Sequence, residues 1–447
     1  MLQTLFYIPH KLGPLPVFGW GWVLIAWVVF YLTVIAYTVW HQALSSQVRL
    51  SSQVKHHLTT AALMAAFIVF VIPWLEQRLG IRAADGNLMQ GIPIRGYGLM
   101  LLVAIVSSVQ LAIVRAPKFG LDAEAVYGLA MWMSVGGIVG ARLFFVIQKW
   151  DQFPKGNLAQ FLAAAVNVAE GGLVVYGSLI GATIAVWLFV SRHGLPVWKT
   201  ADMIAPSLLL GLAIGRLGCL MNGCCYGGVC DLPWAIRFPP SSPPYEEQLN
   251  AGLLHGFRVA ERDQDADANG AGSPVTFVQP QSPAEAAGLQ VGQNVISLNV
   301  SDPLLQEIGP GQREGARQPP ARSEISVLLD DGRKLNWNIA ALPNRSWPIH
   351  PTQIYSAINA FVICLFLLAV TPYCRDGQVF AWLLTLYPIS RFLLEMIRTD
   401  EAGFLGTGLT ISQLISVGLL VLAVALWTRV GRTTQVAQAA KPLAAGR

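Results

Sequence analysis

Charge is what this sequence has least of. Only 12% of its 447 residues are Asp, Glu, Lys or Arg, against roughly 25% in an ordinary soluble domain. Polar side chains are too few to cover the surface of a water-soluble enzyme. With a net charge of only +5, no nucleic-acid partner is expected. Cysteine is scarce too: six in all, four of them grouped as Cys219, Cys224, Cys225 and Cys230. That is too few for a disulfide scaffold and lacks the paired short spacings of a zinc site, so no bound metal is expected. His-Glu-x-x-His is absent, the seven histidines being His10, His41, His56, His57, His193, His255 and His350. Intramembrane metalloprotease chemistry is excluded with it.

Apolar residues fill the space that charge leaves. They make up 54% of the chain and raise the mean hydropathy to +0.50. A bilayer core takes about 20 mostly apolar residues as helix, because lipid offers no partner to backbone polar groups. Nine stretches qualify, near residues 17–40, 58–76, 95–114, 126–148, 172–191, 202–220, 352–373, 377–396 and 405–428. The first is too long for a cleavable signal core and reads as a retained helix. Lys and Arg gather in alternate connections, at Arg49 and Lys55, Arg115 and Lys118, Arg192 and Lys199, Arg375, and Arg429, Arg432 and Lys441. The positive-inside bias makes those sides cytoplasmic, with the N-terminus outside and the C-terminus inside. Arg78, Arg82, Lys149 and Lys155 run against the pattern.

Residues 240–347 differ in composition, holding 13 acidic and 8 basic side chains. Val275–Val278, Asn294–Val300, Ser326–Leu329 and Lys334–Ile339 read as short strands between linkers near 240–272 and 303–323. The run from Ser282 to Ile296 resembles the helix and following strand of PDZ domains. In such domains an extended peptide adds to a strand edge, for which His255-Gly-Phe-Arg-Val259 is the counterpart. Two readings stay open for this insert, peptide binding and simple bracing of the outer loop. The expected organisation is a two-helix region (1–90), a first core segment (91–239), the insert (240–347), a second core segment (348–430) and a tail (431–447). The fold class is all-α polytopic, with a small mostly-β insert.

Arginine at the middle of a membrane helix costs about 2.5 to 3.5 kcal/mol on insertion scales and asks for a reason. Arg142, Arg216 and the set Arg391, Glu395 and Arg398 interrupt three of the apolar stretches. The last three share one helix face. Arg142 and Arg398 stand near span ends and either snorkel to headgroups or bind an anion, with Glu395 neutralising a neighbour. Arg216 and Arg391 lie deeper. Converging guanidinium groups make a cage for an anion, most naturally a phosphate. Around Arg216, five glycines fall within Gly215–Gly228, with Asn222 as a polar handle. A second Gly-rich turn, Glu170-Gly-Gly-Leu-Val-Val-Tyr176-Gly177, serves either a ligand or close helix packing. His350 and Gln353 open the seventh span.

Together these segments resemble the prolipoprotein diacylglyceryl transferase family of bacterial inner-membrane enzymes. The pieces that match, in order, are Arg95-Gly-Tyr97-Gly, Gly140-Ala-Arg142-Leu, Glu170 to Gly177, Gly215-Arg216, Pro233-Trp-Ala-Ile-Arg237, His350-Pro-Thr-Gln353-Ile-Tyr355, and Tyr387 to Arg398. The resemblance implies transfer of the diacylglyceryl group of phosphatidylglycerol to the lipobox cysteine of a secreted prolipoprotein, without metal, nucleotide or other cofactor. It implies catalytic roles for Arg216, Arg391, Tyr176 and His350. Substrate-binding roles go to Tyr97, Arg142, Gly177, Asn222, Gly227, Arg237, Gln353, Tyr387, Glu395 and Arg398. The insert and the active site would face the periplasm. This chain has Tyr176 where many members have His, and a phenol, ordinarily titrating near about 10, is a poor base at neutral pH. Cys219 and Cys224 stand where the commoner pattern has Asn and Glu, and Cys224 and Cys225 are either disulfide-bonded or buried thiols. The non-enzymatic alternative is a membrane lipid-binding scaffold or transporter with a peptide-binding insert.

Overall fold

The computed structural model describes residues 4–44, 64–79, 81–82, 88–90, 92–154, 157–167, 171–240, 242–260, 272–280, 282–301, 323–339, 343–398 and 408–439. Twelve helices are used below: α1 (Trp22–Leu44), α2 (Ile72–Leu79), α3 (Gly96–Arg115), α4 (Ala123–Gln148), α5 (Leu158–Val166), α6 (Val175–Arg192), α7 (Val197–Asn222), α8 (Pro243–Asn250), α9 (Pro283–Ala286), α10 (Thr352–Val370), α11 (Gln378–Glu395) and α12 (Ile411–Ala439). Among the described residues, six are long and apolar enough to cross a membrane: α3, α4, α6, α7, α10 and α12. The stretches expected at 17–40 and 58–76 show shorter apolar helical segments, Trp22–Val34 and Met64–Trp74, the second having its first residues outside the described set. The stretch expected at 377–396 is α11, where Pro388, Arg391 and Glu395 dilute the apolar run. The Glu170 of the second Gly-rich motif and residues 440–447 of the expected tail lie outside the described residues.

Two compact units divide the chain, one of Met1–Leu99, Met221–Cys224 and Ile236–Pro348, the other of Met100–Leu220, Cys225–Ala235 and Ile349–Arg447. The first contains α1, α2 and the insert. In it Thr4–Tyr7 pairs antiparallel with Pro93–Arg95, and His10 Nδ1 lies 3.1 Å from the buried carboxylate of Glu76.

The insert is a five-stranded antiparallel sheet in which Phe257–Val259, Ser273–Val278, Asn294–Ser301, Ser323–Leu329 and Lys334–Ile339 lie in chain order. Alternate residues Ile325, Val327 and Leu329 point inward, as the two-residue period of a strand dictates, and pack with Phe257, Val275, Leu289, Val295 and Trp337. Ser282 caps the four-residue α9 by accepting from Glu285 N. The edge strand Phe257–Val259 is not open for an added peptide. Its outward N–H groups are already spent, Phe257 N donating to Gly252 O at 3.2 Å and Val259 N to Ala251 O at 3.2 Å. Entry and exit of the insert are stitched together. Ser346 N donates to Phe238 O at 2.8 Å, Phe238 N to Ser346 Oγ at 2.9 Å, Tyr245 OH to Pro343 O at 3.0 Å, and Trp347 N to Gln248 Oε1 at 2.7 Å.

The second unit holds the helices that carry the motifs. Large apolar side chains such as Leu102, Val106, Met131, Ile138, Trp187 and Val421 point outward, the arrangement lipid favours. Small residues, Ala205, Ala213 and Ala360 among them, fill the interior, where they let helix backbones approach. Buried Asp202 on α7 accepts from Gly377 N (2.6 Å) and Phe380 N (2.8 Å), capping the first turn of α11. Buried Arg115 at the end of α3 donates to Met203 O at 2.5 Å and Thr371 Oγ1 at 3.1 Å. These bonds fix α11, and with it the Arg391–Arg398 face, against α7.

One buried group makes the insert sensitive to acid. His255 is fully enclosed, neither ring nitrogen has a partner among the described residues, and burial pushes its pKa down to about 4. The unfolded chain takes up this proton near pH 6.5 and the folded chain only near 4, so the stability of the insert falls as pH drops through that window. Hydrogen-exchange protection of Ile325–Leu329, corrected for intrinsic rates, is expected to decline between pH 6.5 and 4 and to lose that dependence in His255→Phe.

Candidate functional site

The site is built on α6, α7, α11 and the start of α12. Arg216, one and a half turns before the end of α7, is half-buried. Among the described residues it makes no hydrogen bond or ion pair. Its electrostatic neighbours are Tyr387, Cys225 and Cys219, and Arg398 opposes it with like charge. Arg391 and Arg398, on one face of α11 and just beyond its end, both pair with Glu395. Glu395, buried, lies 2.8 Å from Arg391 Nη1 and 3.2 Å from Arg398 Nη1, both through Oε2. The first of these is an ion pair whose angles do not make a hydrogen bond. Thr410 Oγ1 reaches Glu395 Oε1 at 3.4 Å. Among the described residues, two guanidinium groups therefore pair with this carboxylate and the third, Arg216, has none. Excess positive charge in a low-dielectric interior is costly until an anion joins it.

Tyr176 on α6 belongs to the same network. Its hydroxyl is 3.4 Å from Ser412 Oγ, and that oxygen also accepts from Arg391 Nη2 at 3.1 Å. The sequence patterns gave no reason to single out Ser412. Its one signal was the polar series Thr410, Ser412, Gln413 and Ser416 at the start of an otherwise apolar stretch.

Around the Gly-rich signature, backbone pairing holds the chain in place. Gly227 N donates to His350 O at 3.1 Å, His350 N to Gly228 O at 3.0 Å and Gly228 N to Ile397 O at 3.2 Å, and Thr352 Oγ1 donates to Cys225 O at 2.6 Å. Residues 227–228 thus bridge the 350 segment and the end of the Arg391–Arg398 face. Only glycine fits at 227, where a Cβ would lie 2.7 Å from His350 Cβ and 2.8 Å from Thr352 Cγ2. His350 has a buried Nδ1 without a partner among the described residues. Its edge-on neighbour is Tyr355, which accepts from Trp234 Nε1 at 2.7 Å. Gln353 is fully buried.

Arg142 and Gly177 also have contacts within the helix bundle. Arg142 donates to the carbonyls of Ala164 (2.8 Å), Ala165 (2.8 Å), Gly171 (2.9 Å) and Gly172 (3.1 Å), and its guanidinium lies over Phe145. It closes the end of α5 and the turn into α6. Gly177 is a packing residue: with Gly136, Gly140 and Gly181 it lets α4 and α6 touch backbone to backbone, and a Cβ on it would strike Phe144 and Gly140 O. Tyr97, Asn222 and Arg237 belong to the first unit; Tyr97 and Arg237 are exposed, and Asn222 is half-buried. Cys219, Cys224, Cys225 and Cys230 are half-buried thiols, none of them in a disulfide.

A family model described as prolipoprotein diacylglyceryl transferase matches residues 87–429. The phosphatidylglycerol–prolipoprotein diacylglyceryl transferase of Rhodopirellula baltica is 35% identical over 454 residues, covering 96% of this chain and 88% of that protein. The proteins of the same name from Synechococcus elongatus and Pediococcus pentosaceus are each 35% identical, over 34% and 32% of this chain and about half of their own lengths, 51% and 49%.

Removing the shared counter-charge is the sharpest stability test of this network. Breaking a buried pair from one side costs about 3 to 5 kcal/mol. Glu395→Gln is expected to lower the thermal unfolding midpoint in detergent, and added phosphatidylglycerol headgroup phosphate to recover part of the loss.

Proposed function

The chain belongs to the prolipoprotein diacylglyceryl transferase family, and from that premise we propose that it moves the diacylglyceryl group of phosphatidylglycerol onto the lipobox cysteine of a prolipoprotein. One observation carries the assignment of the site: Arg216 has no counter-charge among the described residues, and Arg398 stands beside it with like charge. This surplus is what a phospholipid phosphate would neutralise.

In the reaction the precursor sulfur attacks the glycerol carbon that bears the phosphate. The C–S bond forms as the C–O bond breaks, and glycerol phosphate leaves with the bonding pair. Negative charge accumulates on the departing phosphate, and guanidinium groups already in place stabilise it more in the transition state than in the ground state. Arg216 is the principal electrophilic helper, and Tyr387 beside it lines the headgroup end. Arg391 and Arg398 complete the cage, with Glu395 holding both. The thiol proton is carried away on the phosphate of the departing glycerol phosphate, and Tyr176 orients the lipid on that side of the site. His350 shapes the floor through its backbone bonds to residues 227–228.

The same proposal covers the finer architecture. Nine helices span the membrane, N-terminus outside and C-terminus inside, and α11 counts as a span because its charged face turns to the site rather than to lipid. The insert is a PDZ-like fold on the outer side. Its occupied strand edge supports a bracing role over peptide capture by strand addition.

The deciding experiment incubates purified protein with phosphatidylglycerol and a lipobox peptide. A mass gain on the peptide cysteine is expected. It should disappear in Arg216→Ala, by roughly a thousandfold or more in rate as for other lost oxyanion-type contacts, with the unfolding midpoint retained. Lipid binding without any adduct would make the protein a scaffold or transporter instead.

A further inference from the structure

The anion-holding arginines and Tyr176 sit on different helices, yet one oxygen atom touches both. Ser412 Oγ accepts from Arg391 Nη2 at 3.1 Å and lies 3.4 Å from Tyr176 OH. A hydroxyl has two acceptor lone pairs, enough to hold a guanidinium and a phenol at once. Ser412 is itself held. It is 9% exposed, with Gln413 at 7% and Ser416 at 2%. Its turn is locked by Thr410 N donating to Gln413 Oε1 at 3.0 Å, Gln413 N to Thr410 Oγ1 at 3.3 Å, and Ser416 Oγ to Ser412 O at 2.8 Å. Polar side chains buried in a membrane helix are expensive, and this series spends its polarity on Glu395, Arg391 and Tyr176.

We propose that Ser412 is a positioning residue for the transfer, fixing the Arg391 guanidinium and the Tyr176 phenol in one relation to the substrate. The proposal rests on the reading of those two side chains given above. Without the hydroxyl, Arg391 keeps its pair with Glu395, so the positive charge that binds phosphate persists while its aim is lost. Misplacement by about an ångström costs on the order of 100-fold in rate. The loss therefore falls on kcat and spares KM.

The test measures transfer from phosphatidylglycerol to a lipobox peptide in Ser412→Thr and Ser412→Val, which have nearly the same shape and differ in the hydroxyl. Thr is expected to stay within a few fold of wild type. Val is expected to lose roughly 10- to 100-fold in kcat with KM changed less than about threefold. Tyr176→Phe should cost markedly less in the Val background than in wild type, because the two groups act as a unit. Val within twofold of an active wild type overturns the proposal alone, as do losses at 412 and 176 that simply multiply. Equal losses in Thr and Val, matched by lower unfolding midpoints, reduce Ser412 to packing and overturn it too. A wild-type protein that makes no adduct overturns the transferase reading and this proposal with it.

Discussion

Unbalanced positive charge inside an apolar bundle is the constraint on which the second unit depends. Among the described residues, Arg391 and Arg398 both pair with Glu395, and Arg216, with like-charged Arg398 among its neighbours, has no carboxylate partner. A sequence with so little charge does not spend three guanidinium groups idly, since each is costly at depth. An enzyme whose leaving group is a phosphate gains from holding that surplus in readiness, because the field is already organised when charge develops.

Much of the surrounding structure keeps these groups from escaping or collapsing onto other partners. Asp202 caps α11 and Arg115 ties α3 to the carbonyl of Met203 and the hydroxyl of Thr371, so the helix bearing Arg391 cannot slide. The glycines at 136, 140, 177 and 181 let α4 and α6 pack with backbones in contact, which sets where Tyr176 emerges. Residues 227–228 pin the 350 segment to residue 397 by backbone bonds alone. Each device is local and inexpensive. Their joint effect is preorganisation, the feature that electrostatic catalysis draws on most.

The sequence was most legible where one physical period or one strong cost governs. Six membrane-length helices follow the apolar runs, and the strand at Lys334–Ile339 is where its β-branched and aromatic pattern put it. Arg216, Arg391, Glu395 and Arg398 announce themselves because charge in lipid demands an account. Arg142 announced itself equally, yet carbonyls of Ala164, Ala165, Gly171 and Gly172 claim its donors, and such partners leave no mark on side-chain identity. Ser412 was invisible for the opposite reason, being a common small residue whose value lies in two neighbours distant in sequence. The insert shows a third kind of limit. Its strand edge looks open in sequence, but Ala251 and Gly252 fold back onto it, a backbone event that residue types do not encode.

The most direct measurement is electron cryomicroscopy of the protein in nanodiscs of phosphatidylglycerol. Headgroup phosphate density is expected within hydrogen-bond distance of the Arg216 guanidinium, with Arg391 or Arg398 on the same phosphate. Phosphate found away from all three, with Arg216 satisfied by a protein carboxylate or lying among acyl chains, would contradict the charge-surplus reading of the site.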